Sequence, residues 1–221
     1  MADKEILIFV EGPSDKVFLE AYLYFLEDIP IKNFKVKDVT GKDNLSKRLL
    51  EIEKYDKTLI IFDADKDYES NKKEILSKTQ QKITEEQIFL FPNNQDDGDL
   101  ETLLLEIAKH DEFLKCFEGY LECIKSKEHY KPIRNIRKNM LYAYLEVFEL
   151  QKFFQYKWDI NNKKNEENII IDDKGKIKEE HQEEYEKLKE VIDFKSKSLI
   201  PLKNFLEKST ENKQKTKLKI F

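Results

Sequence analysis

The stretches IFVEGPSD at residues 8–15 and IIFDADKD at residues 60–67 decide the fold of this chain. Each begins as a short apolar run and ends abruptly in acidic residues. A continuous apolar run of this length, bounded by turn residues, is typical of a strand buried on both faces of a parallel sheet. We therefore predict two buried parallel strands, each with carboxylates at its carboxyl end.

Two more strands are predicted on either side of these stretches. Residues 34–39 alternate between apolar and polar side chains, which indicates a strand with one solvated face or at a sheet edge. Residues 87–91 form another apolar run, which a proline stops. Apolar residues at helical spacing between the strands predict helices. We expect Ser14 or Asp15 to cap the first of them and Asp43 to cap the second.

This alternation of strands and helices predicts an α/β fold. Over residues 1–108 we expect a Rossmann-like sheet of about four mainly parallel strands flanked by helices. From residue 109 to residue 221 the pattern becomes mostly helical, with a polar loop around residues 160–180 that is rich in Asn, Lys and Glu. We expect this helical extension to pack on or beside the sheet domain.

The composition limits the classes of function. Of the 221 residues 39% are hydrophobic, which is enough for a core, and the net charge is -5. Non-specific coating of nucleic acid requires an excess of Lys and Arg, so that class is disfavoured. The early apolar run, residues 6–10, is too short for a secretion signal or a membrane span, so we expect a cytoplasmic protein without a membrane partner. The sequence has no Cys/His cluster and no GxxxxGK[ST] loop, which disfavours a zinc site and a P-loop ATPase.

Acidic residues follow three of the four predicted strands. Because the carboxyl ends of parallel strands lie on one edge of a sheet, where ligands bind, we expect these residues to form an acidic rim. The acidic rim consists of Glu11 after the first strand, Asp63, Asp65 and Asp67 after the third, and Asp96, Asp97, Asp99 and Glu101 after the fourth. Clustered carboxylates repel each other unless protons or a cation neutralise them. Oxygen ligands without His or Cys suit Mg²⁺ or Mn²⁺.

Three members of the acidic rim are the strongest candidate metal ligands: Glu11, Asp63 and Asp65. Each stands just beyond an apolar strand, where an unpaired charge would cost stability. Alternate side chains at a strand end share one side, so Asp63 and Asp65 are expected to face the same ion. Gly12 lets the chain turn and leaves the Glu11 carboxylate and nearby backbone N–H groups open to a phosphate.

The other acids of the rim have a competing structural interpretation. For Asp96, Asp97 and Asp99, solvent exposure or helix capping is favoured over metal ligation. Asp67 is expected to be exposed or to support the ligands from behind rather than to bind the metal directly. Asp67, Asp97 and Asp99 stay open as possible further ligands. For Glu101, a helix-end role and a ligand role stay equally open.

A basic patch is predicted just before and within the helix that contains Met140. Its members are Lys131, Arg134, Arg137 and Lys138. Contact with nucleic-acid phosphates is one interpretation of the basic patch, and an ordinary solvated helix face is the other.

The Glu-Gly after the first strand and the Asp-x-Asp after the third resemble the Toprim domain. That domain occurs in topoisomerases, bacterial primases, recombination-mediator proteins, a ribosomal-RNA maturase and OLD-type nucleases. The segments at residues 91–101 and 192–202 also resemble a small stand-alone prokaryotic Toprim-related family akin to the OLD nucleases. The resemblance implies a Toprim-type sheet and metal-dependent cleavage of phosphodiester bonds in DNA or RNA, with a role in phage defence.

The resemblance also implies roles for individual residues. Glu11 would act as the general acid/base or as a ligand to a second metal, and Asp63 and Asp65 would bind Mg²⁺. Glu101 would complete a two-metal site. The residues after the Asp-x-Asp are Lys66 and Asp67, where primases and topoisomerases commonly have Gly. This departure, and the length of the chain, favour the nuclease branch.

Other functions stay open at this stage. The strongest rival is a non-catalytic metal-binding module that contacts a partner protein through its helical second half. A receiver-like phosphoacceptor is disfavoured because the paired acids after the first strand and the late Lys are missing. A haloacid-dehalogenase phosphatase is disfavoured because its Asp-x-Asp follows the first strand. A homodimer is left open, and an ATPase partner is suggested by analogy alone.

Overall fold

The computed structural model describes residues 6–26, 34–131, 133–150 and 182–210. These residues form a four-stranded sheet in the order β2-β1-β3-β4, with every neighbouring pair parallel. The strands are β1 (Ile6–Val10), β2 (Phe34–Asp38), β3 (Lys57–Asp63) and β4 (Ile88–Phe91). The predicted α/β class is confirmed, and the alternating strand β2 lies at an edge of the sheet as expected.

Helices surround the sheet and make up most of the second half of the described chain. The α-helices are α1 (Pro13–Phe25), α2 (Leu49–Ile52), α3 (Tyr68–Lys78), α4 (Leu100–Glu106), α5 (Asp111–Lys125), α6 (Ile136–Val147), α7 (Gln182–Val191) and α8 (Ile200–Thr210). Short 3₁₀ helices cover Lys42–Arg48, Glu85–Gln87 and Lys197–Leu199. In the described residues, no helix is long and apolar enough to cross a membrane.

Both faces of the sheet are buried, which explains the continuous apolar runs of β1 and β3. Side chains alternate between the faces, so Ile8 and Leu7 belong to different hydrophobic cores. One core is shared with α1, α4, α6, α7 and α8, and the other with α2, α3 and the 3₁₀ helix before α2. Helices of the C-terminal extension therefore pack into the core on one face of the sheet. The division into two domains at residue 108 stays a prediction, and the predicted polar loop around residues 160–180 lies outside the described residues.

The caps of two helices differ from the sequence-based expectation. Helix α1 begins after Gly12, with Pro13 as its first residue, where a missing N–H costs nothing. Asp15 is therefore the third helical residue, and its carboxylate accepts a hydrogen bond from the backbone N–H of Gly12 at 2.7 Å. The expected cap at Asp43 is also wrong, because Gly41 precedes the 3₁₀ helix with a φ of +95°. The Asp43 carboxylate instead pairs with Lys78 at 2.5 Å.

Candidate functional site

Glu11 lies directly beyond β1, next to the end of the neighbouring strand β3. Backbone N–H groups of Asp63 and Lys42 donate to its carboxylate. Its Oε2 atom is buried and has no hydrogen-bond partner among the described residues. Burial raises the pKa of Glu11, and the Asp65 charge raises it further, against the lowering effect of Lys42 and the two N–H groups. A buried carboxylate oxygen without a donor is the position at which a proton or a cation is needed.

Asp15 is a buried acid whose role the sequence-based interpretation missed. Its exposed fraction is 7%, and it projects from the first turn of α1. Burial raises its pKa from 3.8 to about 7, and the charges of Glu11 and Glu101 raise it too, while the hydrogen bond from Gly12 lowers it. Its spacing of four residues from Glu11 was visible in the sequence, but a local cap explained it equally well.

Asp63 is the last residue of β3, and its carboxylate faces the beginning of α4. The backbone N–H of Leu100 donates to Asp63 Oδ1 at 2.9 Å. Burial raises the pKa of Asp63 well above its ordinary value, and the charges of Asp15, Glu11 and Glu101 add to the effect. The mutual influence of these residues defines one acid cluster, made of Glu11, Asp15, Asp63, Asp65 and Glu101. Glu101 belongs to it because α4 begins at the same edge of the sheet.

Asp65 lies at the outer side of the acid cluster. Its backbone has a φ of +55°, and its N–H donates to the carbonyl of Gly98 at 2.7 Å. The strand alternation that was expected to align Asp63 with Asp65 therefore ends at Asp63, because the chain turns there. The Asp65 carboxylate is 54% exposed and contacts the ammonium of Lys42 at 2.9 Å.

The remaining acids of the rim have local hydrogen-bond partners, and two of them, Asp67 and Asp99, are helix N-caps. Asp67 caps α3 by accepting from the N–H of Ser70 at 2.9 Å. Asp97 accepts from the N–H of Tyr68 at 2.8 Å. Asp99 caps α4 through the N–H of Thr102 at 2.8 Å, and Asp96 accepts from the side chain of Asn93. These bonds hold the loops that carry the acid cluster.

The basic patch is exposed, and one of its members reaches the acidic rim. Arg137 contacts the carboxylate of Asp99 at 3.0 Å, which ties α6 to the beginning of α4. Lys138 lies over the ring of Tyr142 at 5.7 Å from its centroid. Lys131 and Arg134 are exposed to solvent. Of the patch, Arg137 thus contacts the acidic rim through Asp99.

The donor set of the acid cluster suits a hard divalent cation. All of its members offer carboxylate oxygens, and the orphaned Glu11 Oε2 supplies a buried acceptor in need of positive charge. Within the described residues, no group of three or more His, Cys, Asp or Glu side chains is placed to hold a metal ion. The Asp65 carboxylate is directed to the ammonium of Lys42. A cation would have to be held by Glu11 and Asp63, with Asp15, Asp65 and Glu101 as the further oxygen donors.

An open cleft of about 530 Å³ borders the loop that follows Asp65. It lies between the beginning of α3 and the loop after β4, and its walls include Lys66, Tyr68, Lys72 and Asn94. The Tyr68 hydroxyl and the Asn94 side chain are 3.3 Å apart across it. The acid cluster itself does not line this cleft, so the cleft neighbours the site and does not contain it.

Comparison with known proteins identifies a family and no function. A family model described as "Protein of unknown function (DUF3226)" matches residues 5–211. No curated protein and no solved structure matches the chain.

Proposed function

Because the chain belongs to the DUF3226 family, whose description states no function, we propose a function from the site: metal-dependent cleavage of phosphodiester bonds in nucleic acid. The observation that carries the proposal is the acid cluster, in which buried carboxylates share one sheet edge and Glu11 Oε2 lacks a partner. Such a group needs compensating charge. Divalent Mg²⁺ or Mn²⁺ would supply it and would also attract a phosphate.

In this proposal Asp63 binds the cation, and Glu11 transfers a proton. Asp63 is held by the N–H of Leu100, so one of its oxygens is oriented and the other is available for a cation. A bound divalent ion stabilises the charge that develops on the phosphate during an in-line displacement. Glu11, whose pKa is raised, is suited to hold or accept the proton of the attacking water. Gly12 leaves space next to Asp15, since a Cβ at this position would lie 3.5 Å from Asp15 Oδ2.

The resemblance to Toprim domains supports the same proposal. The Glu of the motif directly follows β1 and the Asp-x-Asp begins at the last residue of β3, and these two strands are adjacent in the sheet. We assign the domain to the Toprim class and to its nuclease branch on this basis, acting in the cytoplasm on DNA or RNA. A role in phage defence and an ATPase partner are further parts of the proposal that rest on analogy, and a homodimer is left open.

The test is cleavage of plasmid, single-stranded DNA and structured RNA with Mg²⁺ or Mn²⁺, compared with EDTA. The key variant is Asp63→Asn/Asp65→Asn, which keeps the shape of both side chains. The matched control is Asp96→Asn, which changes an acid of the same rim that bonds Asn93 and lies outside the acid cluster. We expect cleavage that requires metal, persists in the control and is lost in the double variant. Cleavage by the double variant at the wild-type rate would contradict the proposal.

The second candidate is a non-catalytic metal-binding module that acts through a partner. The observation that favours it is the ion pair between Asp65 and Lys42, which neutralises one acid of the cluster internally. Calorimetry with Mn²⁺ separates the two candidates. Metal binding without cleavage of any of the three substrates would favour the binding module.

A further inference from the structure

Lys42 places a positive charge within the acid cluster. Its ammonium contacts Asp65 Oδ2 at 2.9 Å and also donates to the side-chain oxygen of Asn71. The Lys42 side chain is only 12% exposed, which is low for a lysine. Its charge also lowers the pKa of Glu11. The ammonium therefore pairs with Asp65 and stabilises the charged form of Glu11, and these two acids follow different strands.

The backbone holds Lys42 firmly in this position. The N–H of Val39 donates to the carbonyl of Val10 at 3.0 Å, and the N–H of Gly41 donates to the carbonyl of Glu11 at 2.9 Å. The N–H of Lys42 itself donates to the Glu11 carboxylate. The φ of +95° at Gly41 lets the chain make this close turn. Lys42 is thus attached by its backbone to one acid and by its side chain to another.

Asn71 fixes the other side of the ammonium. It is buried on α3, and its Nδ2 donates to the carbonyl of Ala64 at 2.5 Å and to that of Asp67 at 3.1 Å. Both bonds use the amide nitrogen, so the side-chain oxygen is presented to Lys42. The bonds that hold the Asn71 amide use backbone carbonyls, so this acceptor does not depend on a contact with the Asp65 carboxylate.

We propose that the Lys42 ammonium is a built-in counter-ion that competes with a divalent cation for Asp65. Loading of the cluster would then be an exchange in which the Asp65 carboxylate turns from Lys42 to the metal while Lys42 stays bonded to Asn71. This inference rests on the proposed metal site and adds to it a residue that sets metal affinity. Lys42 is a positioning residue, because it acts through the orientation of Asp65.

The exchange predicts in which direction the metal affinity changes when Lys42 is replaced by a neutral side chain. In the metal-free protein the ammonium stabilises Asp65 in its outward position. On metal binding that ion pair is lost, and the ammonium and the divalent ion repel each other across a few ångströms. A neutral side chain at position 42 removes both penalties, because there is no ion pair to lose and no ammonium to repel the metal, so it should strengthen metal binding.

The test is the Mn²⁺ dissociation constant by calorimetry for wild-type protein, Lys42→Met and Lys42→Gln. Lys42→Arg keeps the charge, and Lys82→Met removes a comparable ion pair, with Glu53, outside the cluster. We expect the two neutral variants to bind Mn²⁺ about three- to tenfold more tightly, and Lys42→Arg and Lys82→Met to stay near wild type. Urea unfolding in EDTA checks that each variant is folded. If only one of the two neutral variants folds, its dissociation constant alone tests the proposal.

The outcomes separate this inference from the function on which it rests. Tighter binding in a neutral variant supports the exchange. Equal or weaker binding, with wild-type protein still binding Mn²⁺, overturns the exchange alone and leaves the proposed metal site intact. If none of the proteins binds Mn²⁺, the metal site and the exchange are both wrong.

Discussion

Replacing Asp15 with Asn should change how the stability of the protein depends on pH. Burial and neighbouring acids raise the pKa of Asp15 from 3.8 to about 7. Between these values the folded protein keeps a proton that the unfolded chain has released. The folded state therefore binds more protons, and the free energy of unfolding falls as the pH rises.

The size of the effect follows from the width of the interval. Each pKa unit corresponds to about 1.36 kcal/mol, so between pH 5 and pH 7 the titration of Asp15, together with the acids that influence it, should remove about 2–3 kcal/mol of stability. The side-chain amide introduced by Asp15→Asn can still accept the hydrogen bond from Gly12, and it carries no charge to bury. The variant should therefore lack this share of the pH dependence and be more stable than wild type at pH 8 in EDTA.

The assay is urea unfolding at pH 5, 6, 7 and 8, in EDTA and in Mn²⁺. Glu20→Gln is the matched control, because burial also raises the pKa of Glu20 to about 7, yet Glu20 pairs with Lys16 away from the acid cluster. Both variants should flatten the pH dependence in EDTA. Added Mn²⁺ should stabilise wild type and Glu20→Gln, and stabilise Asp15→Asn much less. Identical pH profiles for wild type and Asp15→Asn would refute the reasoning.

Four further predictions concern two glycines, a buried tyrosine and the basic patch. Gly98→Ala should destabilise the protein by about 1–3 kcal/mol in urea unfolding, because a Cβ would lie 2.9 Å from Pro92 Cδ at a φ of +148°. Gly119→Ala, in α5 with open space around it, should instead stabilise it by about 0.5–1 kcal/mol, and equal effects would contradict the argument. Tyr144→Phe should cost about 1–2 kcal/mol, since its buried hydroxyl donates to the Val191 carbonyl at 2.7 Å; an unchanged midpoint would mean that the bond contributes nothing. Replacing all four residues of the basic patch with Ala should weaken nucleic-acid binding and flatten its salt dependence, measured by fluorescence anisotropy, and unchanged binding would assign the patch to a solvated face.

The strands could be predicted closely because their signal is local. The apolar run that begins the stretch at residues 60–67 lies in β3, Lys57–Asp63, and the alternating run at residues 34–39 is β2, Phe34–Asp38. Burial on both faces requires apolar side chains at every position, and an edge position relaxes that requirement on one face. The helix caps were predicted less well, because Gly12 and Gly41 took the positions that polar side chains were expected to hold.

The acid cluster shows which features of the site local sequence patterns predict and which they do not. Placement of Glu11 and Asp63 at one edge of the sheet followed from parallel pairing alone, whereas the adjacency of their strands is given by the strand order. The burial of Asp15 did not, because it depends on the packing of α1 against the edge that also carries Glu101. The alternation rule did not extend to Asp65, since the backbone leaves the strand conformation after Asp63.

The sequence by itself determined the elements of this protein and the edge at which its carboxylates meet, because hydrophobic periodicity and parallel pairing depend on neighbouring residues. Only the tertiary structure decided which charges compensate one another. Lys42 meets Asp65 from 23 residues away, and Arg137 meets Asp99 from 38 residues away. Such pairs depend on how distant segments pack. Burial then sets the strength of each electrostatic interaction, because it excludes water from the two charges.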